Sequence, residues 1–149
     1  MSTADRFRAA VGNRDLAALD ALFTEDVRLN SPVKSKPFEG KAMVLALFGV
    51  LLRTFEDFRY VGHFEGSADG ADGVEGPATV LPFRTTVNGR QVHGIDMLHL
   101  APGDSAGPEG LIKEITVMIR PQTAVVTVGE AVLAGLIADG LVEAAPVSG

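Results

Sequence analysis

Asn88-Gly89 constrains this chain more than any other pair of residues. It lies between two runs that read as strands, residues 78–87 and 90–100. An Asn-Gly pair accepts the left-handed backbone that a two-residue type I′ hairpin turn needs at both positions. Such a short loop fixes the register. Val87 faces Arg90, so Thr85 faces Val92, Phe83 faces Gly94 and Leu81 faces Asp96. Residues opposite one another share a face of the sheet. One face therefore gathers Leu81, Phe83, Val92, Gly94, Leu98 and Leu100, with the carboxyl of Asp96 among them.

An ionised carboxylate buried without partners costs several kcal/mol, and usually its pKa rises instead. Two readings of Asp96 follow. It is a protonated acid or raised-pKa base facing a ligand, or a structural carboxylate bonded to backbone or to a loop side chain. The opposite face carries Pro82, Arg84, Thr86, His93, Ile95, Met97 and His99. Ile95 and Met97 make that face too apolar for full solvation, and a homodimer through the outer sheet face is expected.

The remaining elements follow from periodicity. Phe7, Ala10 and Val11 form a short helical face ended by Gly12. Leu16, Leu19, Leu22 and Phe23 form a second, with Asn13 as its cap. Residues 27–30 read as a short strand, and Pro32 and Pro37 bracket a loop that ends at Gly40. Residues 41–53 are apolar almost all round, the pattern of a helix buried on most sides. Residues 58–64 and 111–120 complete the strands. The segments 66–76 and 101–110 read as glycine-rich loops, and 129–141 as a C-terminal helix. Helices first and a meander of antiparallel strands after them make an α+β chain, helices packed on one face of a curved sheet.

Length and composition bound the partners. One domain is expected over the 149 residues, with its core at 6–121 and an apolar helical extension at 123–142. A net charge of −6 argues against nucleic acid and against an anionic membrane surface. The longest apolar helical stretch, residues 42–52, is too short to span a bilayer. No signal peptide is visible and there is no cysteine, so a cytoplasmic location is expected. The tail beyond residue 122 is rich in Ala, Val and Leu, and is expected to cover a pocket mouth or to pack on a partner chain.

Several motifs resemble one family. Gly12-Asn13-Arg14-Asp15-Leu16, Leu22-Phe23-Thr24-Glu25-Asp26-Val27, Ser31-Pro32-Val33 and Phe38-Glu39-Gly40 resemble the first half of the nuclear transport factor 2-like superfamily. Gly94-Ile95-Asp96-Met97-Leu98 and Ile112-Lys113-Glu114-Ile115-Thr116 resemble its second half. That group includes ketosteroid isomerases, SnoaL-like polyketide cyclases and limonene epoxide hydrolases. The resemblance implies a cone-shaped α+β (cystatin-like) fold with a deep apolar pocket, often in dimers.

The catalytic sets of the family are incomplete here. Ketosteroid isomerases use a first-helix tyrosine, an aspartate base before Pro-Val and a neutral aspartic acid on a later strand. By resemblance those positions fall on Phe7, Ser31 and Asp96. A serine hydroxyl does not shuttle protons near neutral pH without a base beside it. Limonene epoxide hydrolases use an Arg and two Asp; the nearest positions, Arg84 and Thr86, lie on the outer face. SnoaL-like cyclases rely on one acid/base aspartate and on pocket shape, which a lone Asp96 matches.

The expected partner is a small apolar organic ligand in a pocket lined by Phe7, Phe23, Leu29, Ser31, Phe48, Leu52, Phe58, Tyr60, Leu81, Phe83, Asp96, Leu98, Ile115 and Val117. Asp96 anchors it, or acts as acid/base in an isomerase, cyclase or dehydratase. Ser31 reads as turn chemistry that also borders the pocket by resemblance. Tyr60 reads as packing with a local hydrogen bond, or as a donor to ligand. No cofactor is expected, since phosphate-binding glycine motifs are missing. No metal is expected either: His93 and His99 lie about 20 Å apart along a strand, and the acids Asp69, Asp72 and Glu75 lack EF-hand spacing.

Overall fold

The Asn88-Gly89 turn sets the register at the centre of the computed structural model. Asn88 and Gly89 have φ of 48° and 80°. Val87 pairs with Arg90, Phe83 with Gly94 and Leu81 with Asp96, as the two-residue loop requires. The structure describes residues 1–104 and 107–143. Its elements in chain order are α1 (Thr3–Gly12), α2 (Leu16–Asp20), β1 (Phe23–Asn30), β2 (Phe38–Glu39), α3 (Lys41–Thr54), β3 (Glu56–Tyr60), β4 (Phe64–Asp69), β5 (Glu75–Val87), β6 (Arg90–Asp104), β7 (Gly107–Arg120) and α4 (Gln122–Ala138).

The strands form one curved, open sheet in the order β2-β1-β7-β6-β5-β3, with β4 also on β5. All its pairs are antiparallel except β1 with β7. The helices pack on one face, and Phe7, Phe23, Leu29, Val44, Leu81, Phe83, Leu98 and Ile115 form the core between the layers. Each of these large side chains, taken fully out of water, contributes about 1.5–3 kcal/mol.

Several boundaries differ from the periodicity. Asp15, not Asn13, caps α2, its carboxylate accepting from the Ala18 N–H at 3.1 Å. That helix stops at Asp20, because Phe23 already belongs to β1. The run 58–64 is two strands interrupted at Val61-Gly62-His63, where the Gly62 backbone passes close to the Pro82 ring. The expected loop 66–76 is mostly strand, turning tightly through residues 70–74. The loop at 101–110 is also largely strand, apart from residues 105–106, which lie outside the described residues. The last helix starts at Gln122, seven residues earlier than the apolar pattern suggests. The end of the apolar tail, residues 144–149, lies outside the described residues.

Two glycines set distances that other residues would spoil. At Gly94, a side chain would collide with the Phe83 ring and with the Met118 carbonyl. Gly135 lets α4 approach α3, where an added Cβ would lie 2.5 Å from Val50 Cγ1. Arg53 near the end of α3 then forks onto Asp139 at 2.8 and 2.9 Å and donates to the Gly135 carbonyl.

Candidate functional site

Between the helices and the inner face of the sheet lies a cavity of about 760 Å³. α3 contributes Leu47, Phe48, Leu51 and Leu52, a direct consequence of its being apolar on nearly every side. β3 brings Phe58 and Tyr60, β6 brings Asp96, and β7 brings Val117 and Ile119. α4 closes one side with residues including Val125, Val128, Val132 and Leu136. Leu29, Ser31, Pro32, Val33 and Phe38 come from β1, β2 and the segment between them.

Tyr60 and Asp96 make the polar point in this wall. Two strand spacings, about 10 Å, separate β3 from β6. Tyr60 reaches across, above β5, and its hydroxyl donates to Asp96 Oδ2 at 2.7 Å. Its ring is held edge-on to Phe58 at 5.0 Å, and Phe58 stacks on Phe83 at 4.9 Å. Gly94 leaves the space that Phe83 occupies on β5, so a missing side chain on β6 helps build the aromatic frame. The guanidinium of Arg8 sits 5.8 Å from the centre of the Tyr60 ring.

Burial pushes the Asp96 carboxyl up to about 7, opposed by the hydrogen bond from Tyr60. Burial, and then the nearby Asp96 charge, raise the Tyr60 phenol well above its ordinary range. The pair therefore carries a proton that moves near neutrality, and it belongs to the carboxyl. Asp96 Oδ1 has no hydrogen-bond partner among the described residues.

The fourteen residues expected to line the pocket separate into two groups. Leu29, Ser31, Phe48, Leu52, Phe58, Tyr60, Asp96 and Val117 are on the cavity wall. Phe7, Phe23, Leu81, Phe83, Leu98 and Ile115 are not; they pack behind it in the core, each at most 1% exposed. Inward alternation identifies a buried face but does not separate wall from filling. Phe7 packs edge-on to Phe48 at 6.0 Å and sits 6.3 Å from the Tyr60 ring. The phenol beside Asp96 thus comes from β3 and not from the first helix. Ser31 Oγ accepts from the Val33 N–H at 3.2 Å, a turn bond within its own loop. Arg84 and Thr86 do not border the cavity.

Four charged residues of the wall escaped the sequence reading: Arg14, Lys34, Asp57 and Glu130. Asp57 pairs with Arg59 at 3.0 Å, and the Lys34 ammonium lies 3.8 Å from the centre of the Phe38 ring. Arg14 follows α1 with φ of 52°. Its N–H bonds the Val11 carbonyl and that of Asp15 bonds the Ala10 carbonyl, a left-handed helix ending at a position that usually takes glycine. An L side chain there costs about 1 kcal/mol. Among the described residues no group of three or more His, Asp or Glu side chains comes together to hold a metal ion.

The model of the SnoaL-like domain family matches residues 4–107, and the chain belongs to that family. No curated protein matches the sequence. Among solved structures, it is similar to an uncharacterised protein with a cystatin-like fold from Silicibacter pomeroyi, 27% identical, TM-score 0.77, covering 93% of this chain and 88% of that one. It is similar also to a steroid delta-isomerase from Pseudomonas aeruginosa, 29% identical, TM-score 0.74, covering 94% and 93%. Nuclear transport factor 2 from Cryptosporidium parvum shares the fold at 14% identity and TM-score 0.56, covering 78% of this chain and 88% of that one. The fold is thus nuclear transport factor 2-like. Among the described residues, no helix is long and apolar enough to cross a membrane.

Proposed function

We propose that this protein binds a small, largely apolar organic molecule in the cavity, anchored by Asp96. One observation carries the reading. A buried carboxyl with one oxygen satisfied by Tyr60 leaves its other oxygen without a protein partner at an apolar wall. Cavities that bind organic ligands are mostly apolar with a few convergent polar groups. With its proton, Asp96 donates to a carbonyl; without it, the same oxygen accepts from a hydroxyl. The Tyr60 proton is already committed to Asp96.

The isosteric pair 2-acetylnaphthalene and 2-isopropenylnaphthalene tests this. The ketone is expected to bind more tightly than the hydrocarbon below pH 7, and to lose that advantage above it. In Asp96→Asn the pH dependence is expected to disappear, because an amide donates at every pH. Absence of saturable binding by either compound would remove the reading, and a pH-independent preference would remove Asp96 from it.

A second reading is an isomerase, cyclase or dehydratase with Asp96 as acid/base. It is favoured by the similarity to the steroid delta-isomerase and by a carboxyl that titrates near neutrality, where general acids and bases work best. In such an enzyme Asp96→Asn removes turnover and leaves binding largely intact. In a binding protein the same change alters affinity alone. Movement of the double bond in a β,γ-unsaturated ketone, followed by ultraviolet absorbance, separates the two.

We further infer a homodimer through the outer sheet face. Ile95 pairs with Met118 there, and Met118 is 52% exposed. A monomeric mass by light scattering would exclude it.

A further inference from the structure

We propose that Arg14 reads a negative charge on the ligand, which makes the ligand class an apolar organic anion such as a hydrophobic carboxylic acid. The inference rests on the reading of the cavity as a ligand site and goes further, to the chemistry of the ligand's outer end.

Three observations converge on Arg14. It borders the cavity, yet among the described residues its guanidinium makes no hydrogen bond or ion pair. Arg53, by contrast, is committed to Asp139, while Arg6 on α1 is, among the described residues, as free as Arg14 but does not border the cavity. Its backbone occupies a left-handed helix ending, where glycine serves the fold better. Nothing in the fold's own bonding accounts for an arginine there. A planar guanidinium is suited to carboxylates, which it grips with two parallel hydrogen bonds.

The surroundings fit an amphipathic anion. Lys34 brings a second cation to the wall, seated on the Phe38 ring. Of the three acids on the wall, Asp57 is neutralised by Arg59 and Asp96 keeps its proton up to about pH 7, which leaves Glu130 as the opposing charge below that pH. This excess of cations belongs to a chain of net charge −6. Val33, Val126 and Leu133, each at least 40% exposed, supply apolar surface beside these charges. A ligand in this arrangement lays its apolar body along the cavity, with a neutral polar group inward at Asp96 and its anion outward at Arg14.

Two fluorescent probes separate charge from shape. N-phenyl-1-naphthylamine is neutral, and 1-anilinonaphthalene-8-sulfonate adds an anion to the same frame. Both are titrated into the full chain, into Arg14→Gly and into the double variant Leu52→Trp/Val128→Trp, which narrows the cavity from two walls. Arg14→Gly is expected to weaken the sulfonate about fivefold, to leave the neutral probe unchanged, and to keep or raise the melting temperature. The double variant is expected to weaken both. If it weakens both while Arg14→Gly spares the sulfonate, the anion inference is overturned and the cavity reading stands. Equal loss of both probes in Arg14→Gly overturns it too, since Arg14 then acts through shape. If the double variant affects neither probe, the cavity reading itself fails.

Discussion

The Tyr60 hydroxyl donates to Asp96 Oδ2 at 2.7 Å, so the phenol at the end of β3 holds the carboxyl on β6 across the strand between them. This bond satisfies one oxygen of a buried acid and leaves the other to the cavity. It also explains how an apolar wall tolerates a carboxyl. Most of the cost is met by keeping the proton, and the rest by the phenol.

Stability should fall as pH rises from about 4 to about 7 and level off above it. Unfolded, Asp96 loses its proton near 3.8; folded, it keeps the proton to about 7. Its contribution is complete below pH 4 and is lost progressively up to about 7, an effect of about 4 kcal/mol at most. Urea midpoints at pH 5 and pH 8 should show the drop, and Asp96→Asn should flatten it. An equal slope in the variant would place the titrating group elsewhere.

Tyr60→Phe removes the donor and leaves the ring. The Asp96 carboxyl should then hold its proton to higher pH, since Tyr60 is the influence that opposes burial. The fold should lose about 1–2 kcal/mol. Carbon NMR of the Asp96 carboxyl follows the titration directly, and a midpoint unchanged or lowered would contradict the assignment.

Gly94→Ala should destabilise by about 2–3 kcal/mol, because the new methyl meets the Phe83 ring and the Met118 carbonyl. The aromatic frame behind Tyr60 should loosen with it. Thermal melts supply the first number and near-ultraviolet circular dichroism reports the second. Wild-type behaviour on both counts would mean that the two strands separate more easily than their pairing implies.

Asp15→Ala removes the cap of α2, for an expected loss of about 1 kcal/mol. Asn13→Ala should cost less, since Asn13 caps no helix start. Comparison of the two melting temperatures decides which residue begins that helix.

By itself the sequence determined the local and periodic features. Asn88-Gly89 dictated a hairpin register, and that register put Asp96 on the inner face beside Leu81, because a two-residue turn permits one alignment only. The apolar circumference of α3 likewise announced a buried helix. Tertiary structure decided what depends on distance between elements. Periodicity placed Tyr60, Phe7 and Phe83 together as inward residues, but only the pairing of β3 with β5, two strands from β6, separated the phenol that reaches Asp96 from the rings that fill space behind it. Arg14 reads as an ordinary polar residue after a helix until the chain folds. Its left-handed backbone and its place on the cavity wall arise from how α1 ends against the other elements, and periodicity carries no information about such contacts.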